Sequence, residues 1–132
     1  MSTANYSLFA IPAYLVIAMA PHAYSVYYIR KRNNNKFDLP SPRSTNNRSL
    51  LEKSVPKDVF RKYERCRAAH DNMLENMAFV VGGILSGVVA KLDASLMNTL
   101  CAVYLLSRVV YAVSYINIAS HKWATLRTLW YL

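Results

Sequence analysis

The chain has 132 residues, of which 54% are hydrophobic, a formal net charge of +9 and only two cysteines. This length fits one domain, and two cysteines exclude a disulfide framework and the ligand spacing of a zinc site. Twelve of the sixteen lysines and arginines lie between Arg30 and Arg67, without a nucleic-acid-binding motif and between apolar segments. This pattern favours the cytoplasmic loop of a membrane protein over nucleic-acid binding.

The first apolar segment, residues 6–29, contains no Lys, Arg, Asp or Glu. It is long enough to cross a bilayer core of about 30 Å as a helix. Because no positive charge precedes it and Pro21 follows the small residues of the apparent cleavage site, we predict a retained span rather than a secretory signal. Pro12 and Pro21 are expected to bend this helix, and His22 needs a polar partner.

A basic loop, residues 30–56, follows the first span. Its excess of Lys and Arg places it in the cytoplasm and the N-terminus in the lumen. Its asparagines and prolines are typical of turns, so we predict irregular structure as far as Val55. Ser54 is the predicted N-cap of the next helix, and Pro56 marks its start.

The second long helix is predicted to continue without a breaker to Ala90, with residues 73–90 inside the membrane. One of its faces carries Arg65, Ala68, Asn72, Glu75, Asn76, Phe79 and Gly83. Charged and amide side chains are costly in hydrocarbon, so this face should line a bundle interior or an aqueous cleft. There it forms either a binding site or hydrogen bonds between helices. The Gly83 and Gly87 pair predicts close helix packing.

Cys66 has two interpretations. Its neighbours Arg65 and Arg67 would lower the pKa of the thiol and make it a nucleophile. The alternative is a structural cysteine.

The third span is predicted at residues 96–118, after a lumenal turn at 91–93. Cys101, Tyr104, Arg108, Tyr111 and Tyr115 lie within a narrow arc of this helix. A buried arginine among tyrosines needs a counter-ion, and Glu75 is the candidate. Such a pair would either only stabilise the helix packing or belong to a functional site.

The fourth apolar segment, residues 123–132, follows a basic turn at His121 and Lys122. As a helix it would be about 15 Å long, half of a bilayer core, so we predict that it ends inside the membrane or at its interface. The predicted fold class is an all-α integral membrane protein, an up-down bundle of four transmembrane helices with a truncated fourth. Residues 1–132 form a single domain.

Three motifs in this order resemble the MAPEG superfamily, the membrane-associated proteins in eicosanoid and glutathione metabolism. They are RCRAAHDNMLENMAF at residues 65–79, SRVVYAVSY at 107–115 and LRTLWY at 126–131. The N-terminal segment and FDLPSPRS are similar to a short fungal branch. The resemblance implies a homotrimer, with glutathione held between neighbouring subunits at the cytoplasmic ends of the helices. We expect it in the endoplasmic reticulum.

The resemblance also assigns roles to residues. Arginines would hold the glutathione carboxylates, Asn72 and Glu75 its amine and backbone, and tyrosines would line the tripeptide and the acceptor cleft. The glutathione-binding candidates are Arg30, Arg65, Arg67, Asn72, Glu75, Arg108, Tyr111, Tyr115 and Tyr131. The catalytic candidates are Arg127 and Thr128, which would stabilise the thiolate.

The function implied is a membrane-bound glutathione transferase or peroxidase acting on a lipophilic electrophile or a lipid hydroperoxide. The alternative is a non-catalytic relative that binds lipid or organises partner enzymes in the bilayer. The eicosanoid enzymes carry basic residues where this chain has Ala68 and Asp71, and a histidine where it has Tyr111. The sequence therefore does not favour prostaglandin or leukotriene synthesis.

Overall fold

The computed structural model describes residues 4–36 and 45–118, and every regular element in these two ranges is a helix. A 3-10 turn, Ser7–Phe9, leads into α1, Ala10–Arg32. It is followed by α2, Thr45–Ser54, by α3, Lys57–Val89, and by α4, Ala94–Asn117. Three helices, α1 with its preceding turn, α3 and α4, are long and apolar enough to cross a membrane. The predicted all-helical class is confirmed, and the three candidate helices cover the three predicted spans, whose bounds in the membrane stay a prediction. Segment 123–132 lies outside the described residues.

Two cross-helix hydrogen bonds connect α1 to the middle of α3. The hydroxyl of Tyr14 donates to the carbonyl of Met73 over 2.8 Å. The Nδ1 of His70 lies 2.7 Å from the carbonyl of Ala18. The rings of His22 and His70 lie 5.0 Å apart, so His22 has the polar neighbour that its position required. Because α1 and α3 are antiparallel, the end of α1 lies beside the start of α3.

A second apolar cluster holds the basic end of the molecule together and corrects the predicted loop. It consists of Ile29, Leu51, Val55, Val59, Phe60 and Tyr63. Leu51 lies on α2 and is 3% exposed, so burial against α1 and α3 stabilises a helix where irregular structure was predicted. Arg48 and Glu64 form an ion pair that also joins α2 to α3.

The predicted N-cap of α3 is wrong. Ser54 is the last residue of α2, and its hydroxyl donates to the carbonyl of Leu51 over 3.1 Å. The N-cap is Pro56, and Asp58 places a carboxylate in the first turn, where it interacts favourably with the helix dipole.

The predicted turn between α3 and α4 is confirmed. Lys91 adopts φ of 54°, and the carboxylate of Asp93 caps α4 by accepting from the backbone N–H of Leu96 over 3.0 Å. A Cβ at Gly87 would lie 2.6 Å from the Sδ of Met97, so this glycine permits α4 to approach. A Cβ at Gly83 would meet nothing within 4 Å. Within the described chain, only one member of the glycine pair serves helix packing.

Candidate functional site: a polar groove between α3 and α4

The polar face of α3 lies along its border with α4. The Nε of Arg65 donates to the carbonyl of Ile116 over 3.0 Å, near the end of α4. Two helical turns further along α3, the Nδ2 of Asn72 donates to the hydroxyl of Tyr111 over 3.0 Å. Both α3 side chains are half-buried, as expected for groups at the edge of a helix interface. This face therefore does form inter-helix hydrogen bonds, one of its two predicted roles.

Arg108 lies among the tyrosines of α4, as the sequence predicted. It is 8% exposed, and its guanidinium carbon lies 4.8 Å from the ring centroid of Tyr104 and 5.6 Å from that of Tyr111. The rings of Tyr111 and Tyr115 lie 5.5 Å apart. A desolvated cation above aromatic faces is stabilised by about 2 kcal/mol. Glu75 of the polar face of α3 is exposed, and its pairing with Arg108 stays a prediction.

An open groove extends from this polar cluster along α3 and α4. It encloses about 670 Å³ and begins at Arg108, Asn76 and Tyr104. Its other end is apolar, and Phe79 on its rim is 81% exposed. Polar groups at one end and an apolar surface at the other suit an amphipathic or lipophilic molecule.

The remaining predicted binding residues of the described chain lie at the same end of the molecule, on other surfaces. The Nη1 of Arg67 lies 3.3 Å from the hydroxyl of Tyr63, on the same helix. Arg30 is exposed near the end of α1 and lines a separate cavity of about 630 Å³. One chain therefore brings Arg65, Asn72, Arg108, Tyr111 and Tyr115 to the α3–α4 border and leaves Arg30 and Arg67 outside it. Arg127, Thr128 and Tyr131 lie outside the described residues.

Cys66 belongs to the protein interior. It is 0% exposed, so an electrophile has no access to its sulfur in the folded chain. This burial supports the structural interpretation and argues against the nucleophile.

Two site features were not predicted from the sequence. Asn76 was placed on the polar face, yet its position at the mouth of the groove beside Arg108 depends on how α4 packs. Tyr14, stacked on Tyr104 at a centroid distance of 6.0 Å, extends the aromatic cluster to α1. The sequence could have indicated this role of Tyr14, because it is a phenol within an apolar span and a buried hydroxyl needs a hydrogen-bond acceptor. Among the described residues, no group of three His, Cys, Asp or Glu side chains is arranged to hold a metal ion.

Comparison with known families gives one result. The model of the MAPEG family matches residues 8–132, which is almost the whole chain. No curated protein and no solved structure matches in the corresponding comparisons. The family match agrees with the three helices that are long and apolar enough to cross a membrane. The chain therefore belongs to the MAPEG family and is an integral membrane protein of the eicosanoid and glutathione metabolism kind.

Proposed function

We propose that this protein is a membrane-bound glutathione transferase or peroxidase that activates the glutathione thiol for reaction with a lipophilic substrate. One observation carries the proposal: the Asn72–Tyr111 hydrogen bond and the Arg108 cluster place polar groups of both helices at the mouth of an apolar groove. Members of the matching family generally use glutathione. An anionic, polar tripeptide beside a lipophilic acceptor requires this combination of surfaces.

Glutathione presents two carboxylates and an amine at neutral pH. In the proposed complex, Arg65 binds a carboxylate through its two terminal nitrogens, because its Nε is already directed at the carbonyl of Ile116. Such charge-assisted pairs are roughly twice as strong as neutral hydrogen bonds. Asn72 and Glu75 bind the γ-glutamyl amine and the peptide backbone. Tyr111 and Tyr115 pack against the tripeptide.

We propose a homotrimer with glutathione between subunits. The separate position of Arg30 supports this arrangement, because Arg30 of one chain lies on a different surface from Arg65 and Asn72 of the same chain. Arg30 and Arg67 then act from a neighbouring subunit or at the rim. In the proposed orientation, this end of the molecule lies on the cytoplasmic side of the endoplasmic reticulum membrane, and the N-terminus lies in the lumen.

The reaction needs a thiolate, whereas a free thiol with a pKa near 8.5 is mostly protonated at neutral pH. We assign Arg127 and Thr128 to its stabilisation, by a guanidinium charge and a hydroxyl donor. As a transferase, the thiolate forms a carbon–sulfur bond with an electrophilic carbon, and either the bond from that carbon to a leaving group breaks and the group departs with the electron pair, or the π bond of an activated alkene breaks and the resulting carbanion takes up a proton. As a peroxidase, it attacks the terminal oxygen of a hydroperoxide, and the O–O bond breaks to give a lipid alcohol after proton uptake. The resulting glutathione sulfenic acid reacts with a second glutathione to yield the disulfide and water.

The proposed acceptor lies in the apolar part of the groove. Its reactive group points to Asn76 and Arg108, and its hydrocarbon follows the groove towards Met97. This placement keeps the acceptor beside the glutathione end without exposing its apolar part to water.

The Arg127→Leu variant tests this function, with Arg61→Leu as a matched control because Arg61 is exposed on α3 outside the groove. For Arg127→Leu we expect nearly unchanged glutathione affinity, loss of the thiolate absorbance of bound glutathione, and turnover lowered by about a hundredfold or more. The control should behave like the wild type. Unchanged turnover per folded protein, together with lower stability in the membrane, would make Arg127 an interfacial anchor and remove its catalytic role.

A further inference from the structure

A second, smaller cavity meets the groove near the N-terminal end of α1. It encloses about 290 Å³ between α1 and α4, and we call it the N-terminal chamber. Tyr6, Phe9 and Ala13 are part of its lining. Ala10, Cys101 and Leu105 line both the N-terminal chamber and the groove. The two cavities therefore share a junction whose side chains are small or apolar.

The groove closes between α3 and α4 at its apolar end. Gly87 is buried there, and a Cβ on it would lie 2.6 Å from the Sδ of Met97, so the two helices are in close contact. Cys101 lies about one helical turn from Met97 on α4, and its Sγ is 4.0 Å from the carbonyl of Ser7. A hydrocarbon chain that follows the groove towards Met97 can therefore continue past Ala10 and Cys101 into the N-terminal chamber.

The polar groups around the N-terminal chamber are bonded to one another. The side-chain oxygen of Asn98 accepts from the backbone N–H of Tyr6 over 2.8 Å, and its nitrogen donates to the carbonyl of Ala4 over 2.8 Å. The hydroxyl of Ser7 donates to the side-chain oxygen of Asn5 over 2.6 Å, and Ser7 is 1% exposed. These bonds attach the N-terminal turn to α4. Because they satisfy the polar groups, the chamber offers a ligand mainly hydrocarbon and aromatic surface.

The dimensions of this route suit one long hydrocarbon chain. From Arg108 at the mouth of the groove to Asn98 beside the N-terminal chamber, α4 rises about 15 Å. An extended palmitoyl chain is longer than this distance, whereas a hexanoyl chain is shorter. Pockets for small molecules begin at about 300 Å³, so a chamber of about 290 Å³ accommodates the end of one chain.

We propose that the acceptor is a single-chain fatty acid derivative, with its oxygen-bearing end at Arg108 and its methyl end in the N-terminal chamber. The guanidinium of Arg108 is 8% exposed at the mouth of the groove and suits an oxygen-bearing group. Ala10 and Cys101 are then specificity-determining residues, because the size of their side chains decides whether the chain passes the junction. The inference rests on the proposed acceptor groove and names the class of acceptor.

The test places a fluorescent indole at the N-terminal chamber by Phe9→Trp, at a position that is 70% exposed. The full-length variant in phosphatidylcholine nanodiscs is titrated with palmitic acid brominated either at its terminal carbon or beside its carboxylate. The same titration of the wild type is subtracted. Because bromine quenches an indole only on close approach, the terminal bromine should quench saturably and several-fold more strongly. Terminally brominated hexanoic acid should not quench, because its chain is too short to reach from Arg108.

A second pair of variants tests the junction in the Phe9→Trp background. Ala10→Leu fills the junction, since Ala10 is 7% exposed and lines both cavities. It should weaken binding of terminally brominated palmitic acid about tenfold or more, because each methylene excluded from an apolar site costs about fourfold in affinity. The control Ala20→Leu makes the same change at an exposed position of α1 outside both cavities and should change little.

Three outcomes would overturn the proposal. Stronger quenching by bromine beside the carboxylate would place the fatty acid in the bulk bilayer, with its headgroup at the membrane surface nearest Phe9. Equal quenching by hexanoic acid would show that the chain does not extend from Arg108. Unchanged binding by a folded Ala10→Leu variant would show that the chain does not pass the junction. If Ala10→Leu does not fold, the order of the two brominated palmitic acids still decides.

The assay contains no glutathione, so its result is independent of the proposed thiolate chemistry. Saturable quenching by the terminal bromine in a protein that never forms a glutathione thiolate would retain the fatty acid site and remove the enzyme. A thiolate signal without such quenching would retain the enzyme and remove the N-terminal chamber from its acceptor site.

Discussion

The clearest structural prediction compares alanine at Gly87 with alanine at Gly83. A Cβ at Gly87 would lie 2.6 Å from the Sδ and 2.7 Å from the Cε of Met97, which is itself 5% exposed. Gly87→Ala must therefore displace the end of a buried side chain. A Cβ at Gly83 would meet nothing within 4 Å. Both substitutions remove a helical glycine, so their effects on helix propensity are equal and cancel in the comparison.

The expected magnitude follows from these contacts. Overpacking of a core costs about 1 to 3 kcal/mol, and the flexible end of Met97 places this case at the lower end. Replacing a helical glycine by alanine raises the free energy of unfolding by roughly 0.5 to 1 kcal/mol in each variant. Gly87→Ala should therefore be less stable than Gly83→Ala by about 1 to 2 kcal/mol in free energy of unfolding.

Reversible unfolding in mixed detergent micelles measures this difference, and Met97→Ala in both backgrounds completes a double-mutant cycle. Shortening Met97 removes the steric conflict, so Gly87→Ala should cost less in the Met97→Ala background. Equal stability of the two glycine variants, or no coupling between residues 87 and 97, would refute the packing of α3 against α4 described above. If Gly83→Ala instead lowers the oligomeric state without changing subunit stability, Gly83 lies in a contact between subunits.

Three further predictions concern the site, the core and the topology. Glu75→Gln should weaken glutathione binding by about 2 kcal/mol, roughly thirtyfold, whereas the control Glu52→Gln should leave it unchanged. Calorimetry in detergent would measure both affinities. Unchanged binding by Glu75→Gln would leave Glu75 with a structural role. In maleimide labelling of the detergent-solubilised protein, the partly exposed Cys101 should react before Cys66, which is 0% exposed and should react only on denaturation. Rapid labelling of Cys66 in the folded protein would contradict its place in the core. Protease added to sealed microsomes should cut within Asn33 to Val55, and protection of this loop with cleavage of an N-terminal tag would invert the proposed orientation.

The sequence predicted helices and faces more successfully than contacts. The spacing of Arg65, Asn72 and Asn76 along α3 placed them on one face because helical periodicity depends only on the chain itself. The same reasoning placed Arg108 among its tyrosines, which lie three and four residues away on one helix. Both predictions concern neighbours within one element.

The missed features depend on pairs of elements. Helix α2 is polar over most of its length, and its stability comes from burying Leu51 against Ile29 and Val59, which lie on two other helices. The bond from Arg65 ends on the backbone carbonyl of Ile116, and a carbonyl has no sequence signature. The glycine pair likewise matched the small-xxx-small pattern, but only the position of Met97 shows which glycine is packed.

The central claim, that this membrane protein binds glutathione and activates its thiol, is tested most directly by ultraviolet difference spectroscopy. The purified wild-type protein in detergent is titrated with glutathione at neutral pH, and the absorbance of the thiolate is recorded against the same titration of Arg127→Leu. We predict saturable binding with a thiolate signal in the wild type, and binding without that signal in the variant. Saturable binding by the wild type with no thiolate at any concentration would contradict the enzyme and leave a non-catalytic glutathione-binding protein.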